Sequence, residues 1–289
     1  MGLKNIEKHV LKNPSNFRKI AMGNWGNIGD PQVYGLLELD CEKVLKYIKK
    51  VREKHNIKIT VNHIMGRVIA LALSKYPNLN GFIANGKIQL RDNVDIFFQV
   101  GIEDAETELV GICIKNADKK GILEFSQQVL RKTKAVRDSK KHPMRKSQGI
   151  FHYLPWRLIP WTIKFMNWLQ FDWNLNLSAF GIPKDPLGSI MVTSVGSLGM
   201  ELVFVPLTHL GRTPAQFATC KIVKKPVVMN DKIVIRSRLN LCCTFDHRFL
   251  DGVIAAKFAR YIKKLFENID QHEDLIEGNI SQEETAMDS

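Results

Sequence analysis

The sequence predicts one large α/β domain, and three observations support this prediction. A chain of 289 residues is long enough to bury a sizeable core, and single α/β domains of this size are common. Hydrophobic residues make up 45% of the chain and charged residues 25%, which excludes a wholly disordered or fibrous protein. Runs with strand alternation are interspersed with segments of helical period, so we expect a sheet packed against helices.

The first half of the chain supplies both kinds of element. Residues 1–30 are polar and irregular, and we expect residues 1–14 to be flexible. Asn85-Gly86 lies between short apolar runs and predicts a hairpin, while Thr60 is a candidate N-cap for the second helix. Strands are predicted at 33–39, 94–102 and 108–114, and helices at 41–51, 59–76 and 123–136.

The last third of the chain predicts several strands that are closed by one helix. Strands are predicted near 188–195, 202–206, 217–223 and 233–245, and the helix covers 253–267. Residues 270–289 contain seven acids and no Lys or Arg, which predicts a disordered acidic tail. We therefore expect the folded domain to extend over residues 15–269.

Net charge and cysteine usage restrict the partners and the compartment. The formal net charge of +13 predicts attraction to nucleic acid, to an anionic membrane surface or to a phosphate-bearing small molecule. The sequence lacks a nucleic-acid recognition motif, so we expect no nucleic-acid binding. The five cysteines are odd in number, lack C-x-x-C spacing and lie mostly in apolar runs, which is typical of reduced core thiols in a cytoplasmic protein.

A basic run adjoins a Trp-rich segment, which is predicted to form an insertion at about residues 140–185. Residues 131–146 hold eight Lys or Arg against one acid, and residues 151–173 carry four Trp with few charges. Charges and prolines within the second segment exclude a clean membrane-spanning helix. Its composition suits either a packed helical insertion or a peripheral membrane contact through residues 131–173. The basic run alone suits phosphate binding, lipid contact or plain solvation.

The segment that carries chemistry reads TFDHRFLDG and begins at Thr244. His247 stands four residues before Asp251, where the last strand gives way to the final helix, and functional side chains are often presented at such junctions. A neutral imidazole is the usual side chain for removing a proton from a thiol or hydroxyl near neutral pH. Asp251 is suited to orient parts of the site or to pin the junction by hydrogen bonds, and Gly252 permits tight backbone geometry there.

This segment resembles the active-site segment of the dihydrolipoyl acyltransferase cores of 2-oxoacid dehydrogenase complexes. Residues 240–266 read NLCCTFDHRFLDGVIAAKFARYIKKLF, against the family pattern S-x-D-H-R-x-x-D-G-A-x-A-A-x-F. The related chloramphenicol acetyltransferases share the shorter H-x-x-x-D-G. Residues 59–81, 93–104 and 114–129 resemble the family's helix before its P-x-L-N turn, its central strands and its following helix. The resemblance extends over about residues 15–268, apart from the insertion.

The resemblance implies a two-layer coenzyme-A-dependent acyltransferase fold, with a mixed sheet and helices on one side. It implies transfer of an acyl group from acyl-coenzyme A to a thiol or hydroxyl acceptor, with His247 as the general base and Asp251 holding the site's geometry. The family's oxyanion-stabilising hydroxyl lies in a T-x-S-S/N-x-G strand, which places Thr193 at that position and leaves Ser194 as the alternative. Arg18 either pairs with Asp251 or is an ordinary surface arginine.

The resemblance also implies a homotrimer or a higher assembly of trimers, with active sites between subunits. His247 and Asp251 would come from one chain and Thr193 from the next. No lipoyl group of its own is expected in the sequence, so the acceptor is either a lipoylated partner or the substrate of a free-standing acyltransferase. No metal site is expected, and His63 and His209 are interpreted as core or turn residues. The alternative is a non-catalytic trimeric scaffold or a membrane-associated binding module of the same fold.

Overall fold

The computed structural model describes residues 4–12, 31–101, 109–138, 155, 157–208 and 211–278. The strands are β1 (Lys8–Val10), β2 (Gln32–Asp40), β3 (Gly81–Ala84), β4 (Lys87–Arg91), β5 (Ile96–Gly101), β6 (Leu109–Ile114), β7 (Ile190–Ser194), β8 (Ala215–Met229) and β9 (Lys232–Asp246). The α-helices are α1 (Glu42–His55), α2 (Val61–Lys75), α3 (Ile122–Asp138), α4 (Ile159–Asn167), α5 (Gly252–Glu267) and α6 (Glu273–Glu277). The predicted hairpin at Asn85-Gly86 is present, and Thr60 caps α2 by accepting a hydrogen bond from the His63 amide.

The larger sheet of the described residues has six strands in the order β2-β9-β8-β7-β5-β6. β7 lies parallel to β5 and to β8, and the other neighbouring pairs are antiparallel, so the sheet is mixed. β9 is paired with β8 along its length and with β2 from Arg238 to Asp246. This double pairing fixes where β9 ends, and the segment that contains His247 begins at that point.

One face of this sheet carries the main hydrophobic core. Alternate strand residues such as Val192, Phe217 and Leu241 join apolar residues of α1, α2, α3 and α5 in a single buried cluster. α2 is the centre of the helical layer, because its residues from His63 to Leu73 are all buried. A helix buried on every side needs apolar residues all round, which explains the weak polar face of its sequence. The helices of the main core therefore lie on one side of the sheet, as predicted.

The opposite face is covered by irregular chain rather than by helices. Val203, Phe204 and Val205 pack against a small cluster on this face that includes Ala218 and Cys242. The predicted strand near 202–206 is wrong, since these residues form no strand. Their apolar run is typical of a buried strand, but β8 is already paired on both sides by β7 and β9. The segment therefore buries its side chains by crossing the face of the sheet.

The Trp-rich insertion packs against a second, three-stranded sheet of order β1-β4-β3. α4 continues into a π-helical turn at Trp168–Asp172, and Phe171 of this turn lies edge-on to Phe82 of β3, with ring centroids 5.3 Å apart. Both rings are buried, together with Ile6. The insertion is thus a packed helical element on one side, as one of the two sequence interpretations had it.

The N-terminal residues 4–12 pack with the insertion and the three-stranded sheet. Asn5 is fully buried; its side-chain amide donates to the Gln170 carbonyl and its side-chain oxygen accepts from the Asp185 amide. The prediction that residues 1–14 are flexible is therefore wrong for residues 4–12. The polar sequence does not indicate that residues 4–12 are ordered, because hydrogen bonds to the insertion, about 165 residues away in the chain, hold them in place.

The C-terminal segment is held by a buried arginine of α2. Arg67 donates to four backbone carbonyls, those of Ala117, Asp118, Leu275 and Ile276. Burial lowers the pKa of Arg67 to about 10, so the side chain remains charged at neutral pH. Leu275 and Ile276 lie in α6 and join the core. The predicted disorder is therefore wrong for residues 270–278, and residues 279–289 lie outside the described part of the chain.

We expect Arg67→Met to lower the free energy of unfolding by about 2 kcal/mol or more, because it leaves buried carbonyls without their charged donor. Urea denaturation measures this change. Arg131→Met is the matched control, since Arg131 is exposed on α3 and its loss should cost under about 0.5 kcal/mol. Equal midpoints for the two variants would show that the Arg67 contacts do not hold the C-terminal segment.

Candidate active site

The candidate site is built on the loop between β9 and α5, residues 247–251. The loop is fixed at its start, where the His247 amide donates to the Pro31 carbonyl at 3.0 Å. The amides of Phe249 and Leu250 both donate to the Asp246 carbonyl, which folds the loop into a tight turn. Backbone hydrogen bonds before and after His247 therefore fix the position from which its side chain projects.

The His247 ring is oriented by a hydrogen bond within the same loop. Its Nδ1 atom lies 2.7 Å from the Leu250 carbonyl oxygen. Because a carbonyl oxygen only accepts hydrogen bonds, Nδ1 carries the proton in this contact, and Nε2 is the basic nitrogen of the neutral ring. The ring is half-buried. This is the tautomer that a general base acting through Nε2 requires.

Asp251 holds the loop by capping the helix that follows it. Its backbone is extended, and its carboxylate accepts a hydrogen bond from the Ile254 amide at 2.9 Å. Aspartate is one of the preferred residues at this N-cap position. Gly252 is the first residue of α5, and a Cβ added there would meet no atom within 4 Å. The expectation that Gly252 permits unusually tight geometry is therefore wrong within a single chain.

Sequence analysis missed the ion pair that flanks His247 on both sides. Arg248 donates to Asp246 through Nε and Nη2, at 3.0 and 2.7 Å, and its backbone amide also bonds to the Asp246 carboxylate. The hydrogen bonds to Asp246 raise the pKa of Arg248. The adjacent letters D-H-R were the available signal, since an acid and an arginine two residues apart in a turn readily pair. The pair clamps the backbone around His247.

Thr193 and Ser194 lie at the end of β7 and point to opposite faces. Val192 belongs to the main core, so Thr193 faces away from the helices, on the same side as Asp246, and it is buried. Thr193 is paired with Ala218 of β8, which is paired with Cys242 of β9. Cys242 is four residues before Asp246, or about 13 Å along the strand. One chain therefore does not bring Thr193 to His247.

A cavity of about 670 Å³ opens beside the loop, and we call it the insertion cavity. Its lining includes Asp246, Arg248 and Phe249 from the loop, and Ile159 and Ile163 from α4. A second bidentate ion pair crosses this region, in which Arg212 bonds to both carboxylate oxygens of Asp172, from the π-helical turn. Although burial raises the pKa of Asp172, hydrogen bonds from Arg212 and Asn85 outweigh it and lower that pKa.

The remaining candidates lie apart from the loop or outside the described residues. His63 is buried in α2, where burial and the nearby Arg52 lower its pKa to about 4, as expected for a neutral core histidine. Arg18 and His209 lie outside the described residues, as does the basic run beyond residue 138. Within the described ranges, the structure contains no group of three His, Cys, Asp or Glu placed to hold a metal ion.

The mixed sheet, its one-sided helical layer and the DHR loop define an acyltransferase fold, and comparisons with known proteins agree. The family model described as "2-oxoacid dehydrogenases acyltransferase (catalytic domain)" matches residues 26–152 and 186–273. The chain belongs to this family. The model leaves out residues 153–185, which lie within the predicted insertion.

Individual relatives give the same assignment at low identity. The chain is 26% identical over 83% of its length to the lipoamide acyltransferase component of the branched-chain alpha-keto acid dehydrogenase complex of Bacillus subtilis. It is 28% identical over 84% of its length to the dihydrolipoyllysine-residue acetyltransferase component of the pyruvate dehydrogenase complex of Cupriavidus necator. It spans 48% and 36% of these relatives, respectively.

Solved structures confirm the predicted fold. A probable dihydrolipoamide acetyltransferase from Listeria monocytogenes superposes with a TM-score of 0.61 at 23% identity, covering 90% of this chain and 95% of that one. The cubic core of the pyruvate dehydrogenase multienzyme complex gives the same TM-score at 18% identity, covering 91% and 93%. Chloramphenicol acetyltransferase gives 0.52 at 14% identity, covering 90% and 100%.

We expect Asp251→Ala to lower the free energy of unfolding by about 1 kcal/mol, because it removes the N-cap of α5. Asp251→Asn should have a smaller effect, since the amide oxygen can accept the same hydrogen bond. Guanidinium denaturation of the two variants measures the difference. If both variants lose the same stability, the carboxylate charge, rather than the cap, is what Asp251 contributes to the fold.

Proposed function

We propose that this chain transfers an acyl group from acyl-coenzyme A to a thiol or hydroxyl acceptor, with His247 as the general base. The observation that carries the proposal is the Nδ1 contact to Leu250, which makes Nε2 the basic nitrogen on a rigid loop. Membership of an acyltransferase family supports the reaction type. One solved relative is described by the roles of a serine, a histidine and an asparagine in its catalytic mechanism, the last two spaced like His247 and Asp251.

The proposed reaction assigns one role to each residue. His247 Nε2 removes the proton from the acceptor, whose sulfur or oxygen attacks the thioester carbonyl of acyl-coenzyme A. Thr193 donates a hydrogen bond to the oxyanion of the tetrahedral intermediate. The intermediate collapses by breaking the bond between carbon and the coenzyme A sulfur, and the departing thiolate takes the proton back from the His247 imidazolium. Asp251 and the Asp246–Arg248 pair hold the loop in place meanwhile.

This reaction needs more than one copy of the chain, because Thr193 lies far from His247 within one chain. We therefore propose a homotrimer, or an assembly of trimers, in which Thr193 of one subunit meets His247 of the next. Exposed apolar residues on the edge strand β2 and on the β8–β9 hairpin support such contacts, among them Tyr34, Leu36, Ile233 and Ile235. The structure of a cubic core among the relatives supports assembly.

We also propose a class of acyl acceptor and a cellular compartment for this protein. A dihydrolipoyl group on another chain suits the family, and a free alcohol or thiol suits a free-standing enzyme. We place the protein in the cytoplasm, because its five cysteines form no disulfide and four of them are buried. Burial raises the pKa of the Cys41 thiol to about 12, which keeps it protonated and unreactive.

We expect His247→Ala to lower kcat by about 10²–10⁴-fold, because the proton transfer loses its base. Thr193→Ala should lower kcat by about 10²–10³-fold through loss of the oxyanion donor. The measurement follows free thiol released from acyl-coenzyme A donors, with dihydrolipoamide and simple alcohols as acceptors.

His9→Ala is the control for these variants, since His9 is exposed and paired with Asp92. Full activity in His247→Ala would contradict the assignment of the base. If the wild type turns over no donor with any acceptor, the non-catalytic scaffold becomes the better account of the fold.

A second candidate role, peripheral membrane contact, is favoured by the outer face of the insertion. Trp161, Phe165 and Trp168 are 72%, 58% and 43% exposed and recur at helical spacing. Trp173 is also exposed and lies edge-on to Trp168. The neighbouring Lys164 contacts the Trp161 ring at 5.7 Å, and aromatic residues beside cations suit an anionic lipid surface. In the described part of the chain, no helix is long and apolar enough to cross a membrane.

We expect the chain to co-sediment with phosphatidylcholine vesicles that contain phosphatidylserine, and less with vesicles that lack it. The double variant Trp161→Ala, Phe165→Ala should lower the partition coefficient at least about tenfold, because it removes two apolar side chains from the contact. Leu45→Ala is the control, because Leu45 is an exposed apolar residue of α1, away from the insertion. Equal sedimentation of the double variant and the wild type would rule out this face as the membrane contact.

A further inference from the structure

The insertion cavity is lined both by the His247 loop and by residues of the insertion, which the family model leaves unmatched. Its lining includes the residues on both sides of His247, namely Asp246 and Arg248, together with Phe249. It also includes residues of α4 and Trp168, which lie in the stretch that the family model leaves unmatched. A ligand in this cavity would therefore contact both the reaction loop and the insertion.

The lining of the cavity favours an uncharged, apolar occupant. Phe82, Ile83, Leu207, Phe249, Ile159 and Ile163 supply apolar surface. The carboxylates that line it are each matched by an arginine in the lining: Asp172 by Arg212 at 2.6 Å and Asp246 by Arg248 at 2.7 Å. Lys164, the other charged residue of the lining, is largely in solvent. The cavity thus presents mainly apolar surface, and its charges are satisfied within the wall.

The size of the cavity favours a long acyl group over a short one. At about 670 Å³ it falls in the range that holds a drug-sized ligand, far more than the two carbons of an acetyl group need. Each methylene moved from water into such a cavity tightens binding roughly fourfold. A hydrocarbon chain of many methylenes therefore gains most from this space.

We propose that the insertion cavity binds the hydrocarbon chain of the acyl group, so that the substrate class is medium- to long-chain acyl-coenzyme A; this rests on the acyl transfer proposed above. The thioester carbonyl lies at the His247 loop, and the chain extends between β3 and α4. Ile163 determines the usable length, because it lies on α4 and faces the cavity.

The test compares acetyl-, hexanoyl-, decanoyl- and dodecanoyl-coenzyme A as donors, in vesicle-free solution. For the wild type we expect kcat/KM to rise with chain length, up to about fourfold per methylene until the cavity is filled. Ile163→Trp should lower the ratio of the decanoyl to the acetyl value at least tenfold, because the indole obstructs the part of the cavity beside α4. Ile163→Ala should move the optimum toward longer chains. A merely destabilising effect would not move the optimum in opposite directions.

Leu158→Ala is the matched control, since Leu158 immediately precedes α4 and is exposed outside the cavity lining. It should leave the chain-length profile unchanged. A profile that is flat or that favours acetyl, and that neither Ile163 variant shifts, overturns the cavity proposal while leaving acyl transfer in place.

Absence of turnover with every donor contradicts the proposed function instead, and binding then decides about the cavity. Isothermal titration compares decanoyl-coenzyme A with coenzyme A itself. Tighter binding of the decanoyl compound that is lost in Ile163→Trp supports the cavity assignment. Equal affinity for the two compounds overturns it.

Discussion

The pairing of β9 with a strand on either side is the constraint on which the candidate site depends. From Arg238 to Phe245 this strand is paired with both β2 and β8, apart from an irregularity opposite β8 at Asn240, so it cannot slip in register without breaking two ladders. Where it ends, the His247 amide is bound to the Pro31 carbonyl, next to the start of β2. The loop then has only five residues before α5 begins at Gly252, capped by Asp251. A short loop between two fixed elements holds its side chains in one geometry.

The same sheet also explains why one chain does not bring the proposed catalytic residues Thr193 and His247 together. Thr193 lies on β7, two strands away from β9, and its register places it well back from the end of β9. Neither residue can approach the other without unfolding the sheet. The proposed meeting of Thr193 and His247 therefore requires a second copy, for which the exposed apolar residues of β2 and of the β8–β9 hairpin provide surface. In this proposal, catalytic activity therefore depends on assembly of the chain into trimers.

The insertion adds contacts that connect distant parts of the chain. It buries Phe171 against Phe82, fixes the N-terminal segment through Asn5, and reaches across to Arg212 through Asp172. These contacts use one side of the segment, and its other side leaves Trp161 and Phe165 in solvent. Between the insertion and the reaction loop lies the insertion cavity. In the proposals above, this segment, which the family model leaves unmatched at residues 153–185, contacts both the acyl chain and the membrane.

Local sequence patterns were enough to predict the fold family, the helices α1, α2, α3 and α5, the hairpin and the His247 loop. These features depend on local patterns: apolar periodicity, the Asn85-Gly86 turn, and a motif whose residues lie together in the chain. The apolar run 202–206 misled because its pattern shows that the side chains are buried and not what they pack against. Likewise, the polar residues near Asn5 and the acids near Leu275 carry no local signal of order.

Contacts between distant segments follow from the folded arrangement and not from local sequence. Asn5 and Leu275 are held by partners some 165 and 208 positions away. The Asp172–Arg212 pair, the insertion cavity and the separation of Thr193 from His247 likewise arise from segments far apart in sequence. The physical reason is that such contacts are chosen by which surfaces the sheet and helices bring together. A residue's own neighbours in the chain do not encode that choice.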